Sequence, residues 1–260
     1  MRRLLLHILL FGLTVGSTVL VGGPWYCVSI MTILLAHELG HFFMSRRYHV
    51  RSSLPFFIPF PNLFGTLGAV ILMRGRIRSR TALFDIGATG PLVGLCLTIP
   101  AIVIGLTLSH TVEAATIEGA SFRLGDSILF SLIERAVMGH IPEGTDVLLH
   151  PLAFAGWVGL FVTALNLMPI GQLDGGHIAY ALFGRRHDYI AYSFFLLMWV
   201  MGLFFWPGWI FMAFLILILI RVKHPSIIDE EIQLDRKRKL LGGATILIFI
   251  LTFMPVPIVV

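Results

Sequence analysis

Charge is what this chain has least of: 13% of its 260 residues are charged, against 57% that are hydrophobic. Soluble domains draw about a quarter of their residues from Asp, Glu, Lys and Arg. That shortage excludes an ordinary water-soluble fold of this length. Cysteine is nearly missing as well, with only Cys27 and Cys96 present. Both lie in apolar stretches, which excludes a disulfide framework and a thiolate metal site. No internal repeat is visible, so the repeated halves on which many transporters are built are lacking too.

Long apolar runs are there in their place. A helix needs about 18 or more apolar residues to cross a bilayer, and segments 4–21, 26–44 and 82–108 meet that length. Further spans are expected at 151–170, 189–206, 209–220 and 240–260, the sixth being short. The reading is an all-α polytopic membrane protein with about 6–7 transmembrane helices, forming one integral-membrane domain over 1–260. A signal peptide over 1–23 is the alternative for the first run, but that run has no Ala-x-Ala-like exit.

The formal net charge of +5 suggests nucleic acid only until the positions of the basic residues are read. With the N-terminus cytoplasmic, 17 of the 19 Lys and Arg residues fall on that side, leaving Arg123 and Arg135 outside. The charge is therefore a topology signal, and no nucleic-acid partner is expected. Segment 109–150 becomes an extracytoplasmic loop, mobile or helical, carrying six acidic residues between His110 and His150. The tail from His224 to Lys239 reads as a solvated linker with an inside-topology signal. Met254-Pro-Val-Pro257, near the chain end, is expected to fray.

The second span contains His37, Glu38 and His41. Ionisable groups at membrane depth need a function or a partner. Residues four apart share a helix face, so both imidazoles can address one metal ion with Glu38 beside them. That pattern suits Zn2+: two neutral imidazoles and a carboxylate leave a fourth position for water, and Glu38 is placed as general base. The third ligand has to come from another helix. Between Asn166 and His177, Pro169 and three glycines break an otherwise apolar segment, and broken backbone at membrane depth belongs around protein cavities. Asp174 lies in that broken segment, taken as 171–184, and meets the depth of His41 in this topology. The alternatives are a solvated Asp174 at the end of a span, or His177 as a competing ligand or as a donor to Asp174. The Asn166 amide is a candidate oxyanion donor.

These residues resemble the site-2 protease family of intramembrane zinc metalloproteases. In it a His-Glu-x-x-His helix, here His37, Glu38 and His41, precedes an Asn-x-x-Pro-x-x-x-x-Asp-Gly segment, here Asn166, Pro169, Asp174 and Gly175. Gly90-Pro91-Leu92 in the intervening span matches a further element of the family. The resemblance implies that Asp174 is the third zinc ligand and that substrates are transmembrane proteins in the lipid bilayer, selected with or without a regulatory membrane partner. Loop 109–150 is too short for a PDZ domain, so the form is compact. Segment 54–78, with prolines at 55, 59 and 61, resembles the family's membrane-associated β-hairpin between helices 2 and 3. The stretch from Phe64 resembles a branch found in plastids, cyanobacteria and other prokaryotes, and a bacterial-type cell membrane is expected. Residues 68–73 offer a strand edge able to hold an unwound substrate. Gly87, Gly90 and Gly94 suit close helix packing and are assigned no catalytic part. A zinc transporter or a non-proteolytic adaptor is the other class, but a transporter has no need of Glu38.

Overall fold

The computed structural model describes residues 2–74, 77–113, 123–142, 144–220, 222–225, 227 and 233–259. The first helix, α1 (Arg2–Arg47), is broken at Gly23, whose φ of 75° lies in the left-handed region, with Pro24 directly after it. Cys27 Sγ comes within 3.7 Å of the Val15 carbonyl, whereas twelve residues of straight helix would hold them about 18 Å apart. The chain therefore reverses at Gly23, and the two halves of α1 lie against each other.

A strand region follows. Strands β1 (Arg51–Ser52), β2 (Phe56–Pro59), β3 (Thr66–Val70) and β4 (Met73–Arg74) pair antiparallel, β2 with β3 and β1 with β4. In register, Phe56 faces Val70 and Ser52 faces Met73. The strand expected from Gly68 onward is thus divided, because Ile71 and Leu72 leave the ladder. Pro55 has no N–H to offer there, and Ser53 takes over, donating its N–H to the Leu72 carbonyl and accepting the Leu72 N–H on its hydroxyl. The hairpin lies along the first half of α1. Ring centroids of His7 and Phe56 are 3.9 Å apart, and at the far end Tyr26 donates to the Phe64 carbonyl.

Helix α2 (Arg80–Thr107) is started by the Ser79 hydroxyl, which accepts from the Ala82 N–H. It packs against α1, α3 (Ile128–Met138), α4 (Pro151–Asn166) and α5 (Asp174–Phe183), and so occupies the centre. After α5 come one 3-10 turn (Gly184–Arg186), α6 (His187–Phe204), α7 (Gly208–Leu215), a π-helical continuation over Ile216–Ile220, and α8 (Arg236–Thr252). Among the described residues three helical stretches are long and apolar enough to cross a membrane: Leu4–Arg47, Arg80–Thr107 and Asp174–Phe204. With apolar surroundings outside as well as inside, contact between helices rests on close van der Waals fit. Tyr26, Phe154, Trp157 and Phe161 supply that fit with stacked rings at 5.1–6.3 Å.

Several expectations need correction. The fourth helix ends at Asn166 rather than at 170, and the break occupies 167–173, because Asp174 already opens α5. Loop 109–150 is built in part of strands: β5 (His110–Glu113) pairs with β7 (Thr145–Leu148). The last helix ends at Thr252 rather than at 260. Residues 254–259 are not frayed, since β8 (Ile258–Val259) pairs with β6 (Arg123–Leu124) and Trp209 donates to the Pro255 carbonyl. Two-residue ladders of this kind leave no alternating pattern in a sequence.

Candidate metal centre

His37 and His41 sit four residues apart on the second half of α1, where helix geometry stacks them on one face. Asp174 is brought to them as the first residue of α5, once the Pro169 turn has ended α4. His37 Nε2 lies 3.1 Å from one Asp174 oxygen and His41 Nε2 3.2 Å from the other, with 3.0 Å between the two ring nitrogens. Zinc at its usual distances of 2.0–2.1 Å spaces tetrahedral ligands about 3.3 Å apart. The two ring nitrogens already stand within a few tenths of an ångström of that separation, and each has an Asp174 oxygen at a matching distance, a different oxygen for each.

The tautomer of His41 supports the same reading. Its Nδ1 is 2.7 Å from the Ile86 carbonyl, an acceptor only, so the proton is on Nδ1 and the lone pair is on Nε2, facing the other two donors. His37, Glu38 and His41 are all buried, and the Asp174 side chain keeps 14% exposure. The donor set and its spacing fit zinc. Asn166 ends α4 with Nδ2 at 3.4 Å from His37 Nε2. The backbone N–H of Ile71, in the gap between β3 and β4, faces the Glu38 carboxylate.

The glycines of α2 make room for these rings. A Cβ at Gly90 would stand 2.0 Å from His41 Nε2, one at Gly94 3.3 Å from His37, and one at Gly87 2.9 Å from His177 Cβ. The glycine face read as a helix-packing surface is therefore pressed against the candidate ligands themselves.

The profile of Peptidase family M50 matches residues 25–206, which carry both histidines, Glu38, Asn166 and Asp174. The chain belongs to that family. Among proteins similar to this M50 chain is the "Probable zinc metalloprotease EGY1, chloroplastic" of Arabidopsis thaliana, 34% identical over 87% of the chain and 42% of that protein. The protein of the same name in Oryza sativa subsp. japonica is 38% identical over 60% of the chain and 27% of its own length. "Probable zinc metalloprotease EGY2, chloroplastic" of Arabidopsis is 32% identical over 59% and 28%. The chain thus spans less than half the length of the curated relatives it matches. Their chloroplast designation agrees with the branch that the Phe64 stretch resembles.

His177 is not part of the donor triangle. Its Nδ1 is 2.7 Å from His224 Nε2, and His224 Nδ1 is 2.6 Å from the Pro225 carbonyl. Because that carbonyl only accepts, His224 donates from Nδ1 and receives the Nδ1 proton of His177. Burial, with His177 beside it, pushes His224 down to about 3, which keeps its ring neutral. Sequence reading passed over His224, since a lone histidine in a loop 47 positions from its partner carries no motif.

Proposed function

We propose that this chain is an intramembrane zinc metalloendopeptidase that hydrolyses peptide bonds within or beside transmembrane segments of membrane-protein substrates, as in regulated intramembrane proteolysis. The convergence of His37, His41 and Asp174 next to the buried Glu38 is the observation that carries this reading.

His37 Nε2, His41 Nε2 and an Asp174 oxygen would hold the ion. When bound, zinc supplies Lewis acidity, drawing the pKa of a water toward neutrality and polarising a carbonyl. Glu38 accepts the proton of the attacking water on its carboxylate and passes it to the leaving amine. Asn166 Nδ2, beside His37, donates a hydrogen bond to the oxygen of the scissile carbonyl as charge develops there. Burial of His37, Glu38 and His41, with Asn166 and Asp174 half-buried beside them, limits bulk water, so the interactions act in a lowered dielectric. A helical substrate hides its peptide bonds, and residues 68–73 would hold an unwound segment by main-chain hydrogen bonds. The Ile71 N–H beside Glu38 supports this, because it puts that segment next to the general base.

The reversal at Gly23 and the apolar helices at Pro151–Asn166 and Gly208–Ile218 support 6–7 passes with the β-hairpin at the membrane. The basic residues favour a cytoplasmic N-terminus and a cytoplasm-facing site.

The test uses purified wild type, Glu38→Gln and Asn166→Ala with a panel of single-span peptides, measuring zinc content alongside cleavage. Glu38→Gln is expected to keep zinc and lose about 10²–10⁴-fold in rate, and Asn166→Ala about 10²–10³-fold. Equal cleavage by wild type and Glu38→Gln overturns the mechanism.

A further inference from the structure

A cavity of about 610 Å³ opens where α1 ends and the hairpin begins, its lining separate from the metal centre. Its cationic wall is Arg46 and Arg51, joined by the imidazoles of His7 and His49. Among the described residues no carboxylate lines it and neither arginine forms an ion pair. The Arg46 guanidinium lies 5.0 Å over the Phe42 ring, which steadies its stem and leaves its N–H groups free of carboxylate. Val50, Leu54 and Phe56 add apolar lining, with Ser52 and Ser53 beside them.

The backbone is bent to make this pocket. His49 has φ 55°, the one non-glycine residue in the left-handed region among those described. Such a conformation costs about 1 kcal/mol and persists only where its surroundings impose it. Here it turns the chain out of α1, so that the segment leading to Phe56 returns over His7, whose ring meets Phe56.

Two guanidiniums with no carboxylate partner among the described residues select an anion, and their planar forks match phosphate. The surface around His7 decides which phosphate. Leu4, Leu5 and Ile8 flank it on α1, each more than half exposed. An anion seated between the arginines therefore has apolar surface running away from it along the helix, as acyl chains require.

We infer that this pocket binds the phosphate of an anionic membrane lipid, with the headgroup between Arg46 and Arg51 and the chains along the first half of α1. The bound lipid fixes β1. Through the pairing of Ser52 with Met73 it also steadies the Ile71–Leu72 gap that faces Glu38. The assignment needs only that the chain resides in a bilayer, not that it cleaves peptides.

The full chain is reconstituted in phosphatidylcholine with or without phosphatidylglycerol, and retained lipid is read by native mass spectrometry. Wild type should keep phosphatidylglycerol over phosphatidylcholine. The double variant Arg46→Gln, Arg51→Gln should lose about thirtyfold of that preference, from the usual effect of two basic residues at an anionic surface. Arg46→Lys with Arg51→Lys, which keeps both charges but not the planar forks, should fall between wild type and the glutamine variant, and Arg185→Gln with Arg186→Gln should leave it unchanged. Equal retention of the two lipids by wild type, or an unaltered preference in the glutamine variant, overturns the proposal. Inorganic phosphate is the other arm: if it displaces phosphatidylglycerol and is itself retained through the same arginines, the site takes free phosphate and the lipid assignment fails. Because the readout is bound lipid, either failure leaves the peptidase reading standing.

Discussion

At Gly90 the smallest possible side chain tests the metal centre. The methyl of Gly90→Ala would sit 2.0 Å from His41 Nε2, 2.4 Å from Cε1 and 2.5 Å from Cδ2. Non-bonded heavy atoms rest about 3.5 Å apart or more, so the ring must retreat by about 1.5 Å. His41 has no such slack, since one nitrogen is tied to Ile86 at 2.7 Å and the other stands 3.0–3.2 Å from His37 and Asp174. Metal sites tolerate about 0.2 Å of ligand displacement. Disturbing only a partner of a ligand costs about 10–100-fold in metal affinity. Expelling the ring itself should exceed the upper end, or more than about 2.7 kcal/mol. The same change helps the helix by about 1 kcal/mol in intrinsic propensity against about 1–3 kcal/mol for crowding the tied ring, so the zinc-free protein should melt at or somewhat below wild type while the stabilisation by added zinc disappears. The assay is competition for zinc against a chelator, with melting followed in parallel. Gly94→Ala is the graded control: its methyl would meet His37 at 3.3 Å, which a small shift absorbs, and the loss should stay under about tenfold. Zinc affinity at the wild-type level in Gly90→Ala, or a larger loss in Gly94→Ala, would refute the geometry.

Ile71→Pro removes the N–H that faces Glu38 and, if residues 68–73 hold substrate, should cut cleavage with zinc content unchanged; undiminished cleavage after proline scanning of alternate positions there sinks the clamp. Asp85→Asn leaves Arg238 without the carboxylate it grips through two bonds of 2.7 Å, joining α8 to α2. A loss of about 2 kcal/mol should appear as a lower melting midpoint. On the far side, burial raises Asp126 and Glu134, with Asp146 adding like charge to both. A carboxylate raised on folding is ionised at a cost, so the stability of this segment should increase as pH falls toward the folded values. Asp126→Asn removes its share of the cost. It should melt above wild type at neutral pH and match it below about pH 3.9, the ordinary aspartate value; hydrogen exchange across 123–142 reads the same difference.

What could be read in advance was what is local along the chain. His37, Glu38 and His41 lie within one and a half turns, and the Pro169 and glycine break marks the place where Asp174 enters. Their meeting needed only the topology set by the basic residues. The Ile86 carbonyl that orients His41 is a main-chain atom, present at every position and marked by none. The contacts of Gly87, Gly90 and Gly94 with histidine side chains depend on the rotation of α2 about its axis, which three glycines on one face do not determine. The 171–184 segment was misplaced because glycines in Asp174-Gly-Gly argue against helix in isolation, whereas packing on α2 draws Asp174 into one.

The reversal at Gly23 bears on how such a protein enters its membrane. Insertion of a single helix bearing two histidines and a glutamate is opposed by a few kcal/mol for each ionisable group. With no loop between them, the two halves of α1 can partition only as a joined pair. The residues from Leu4 to Gly23 carry no acidic or basic group except His7. Their surplus of apolar surface offsets part of the cost of placing the histidine-bearing half in a bilayer.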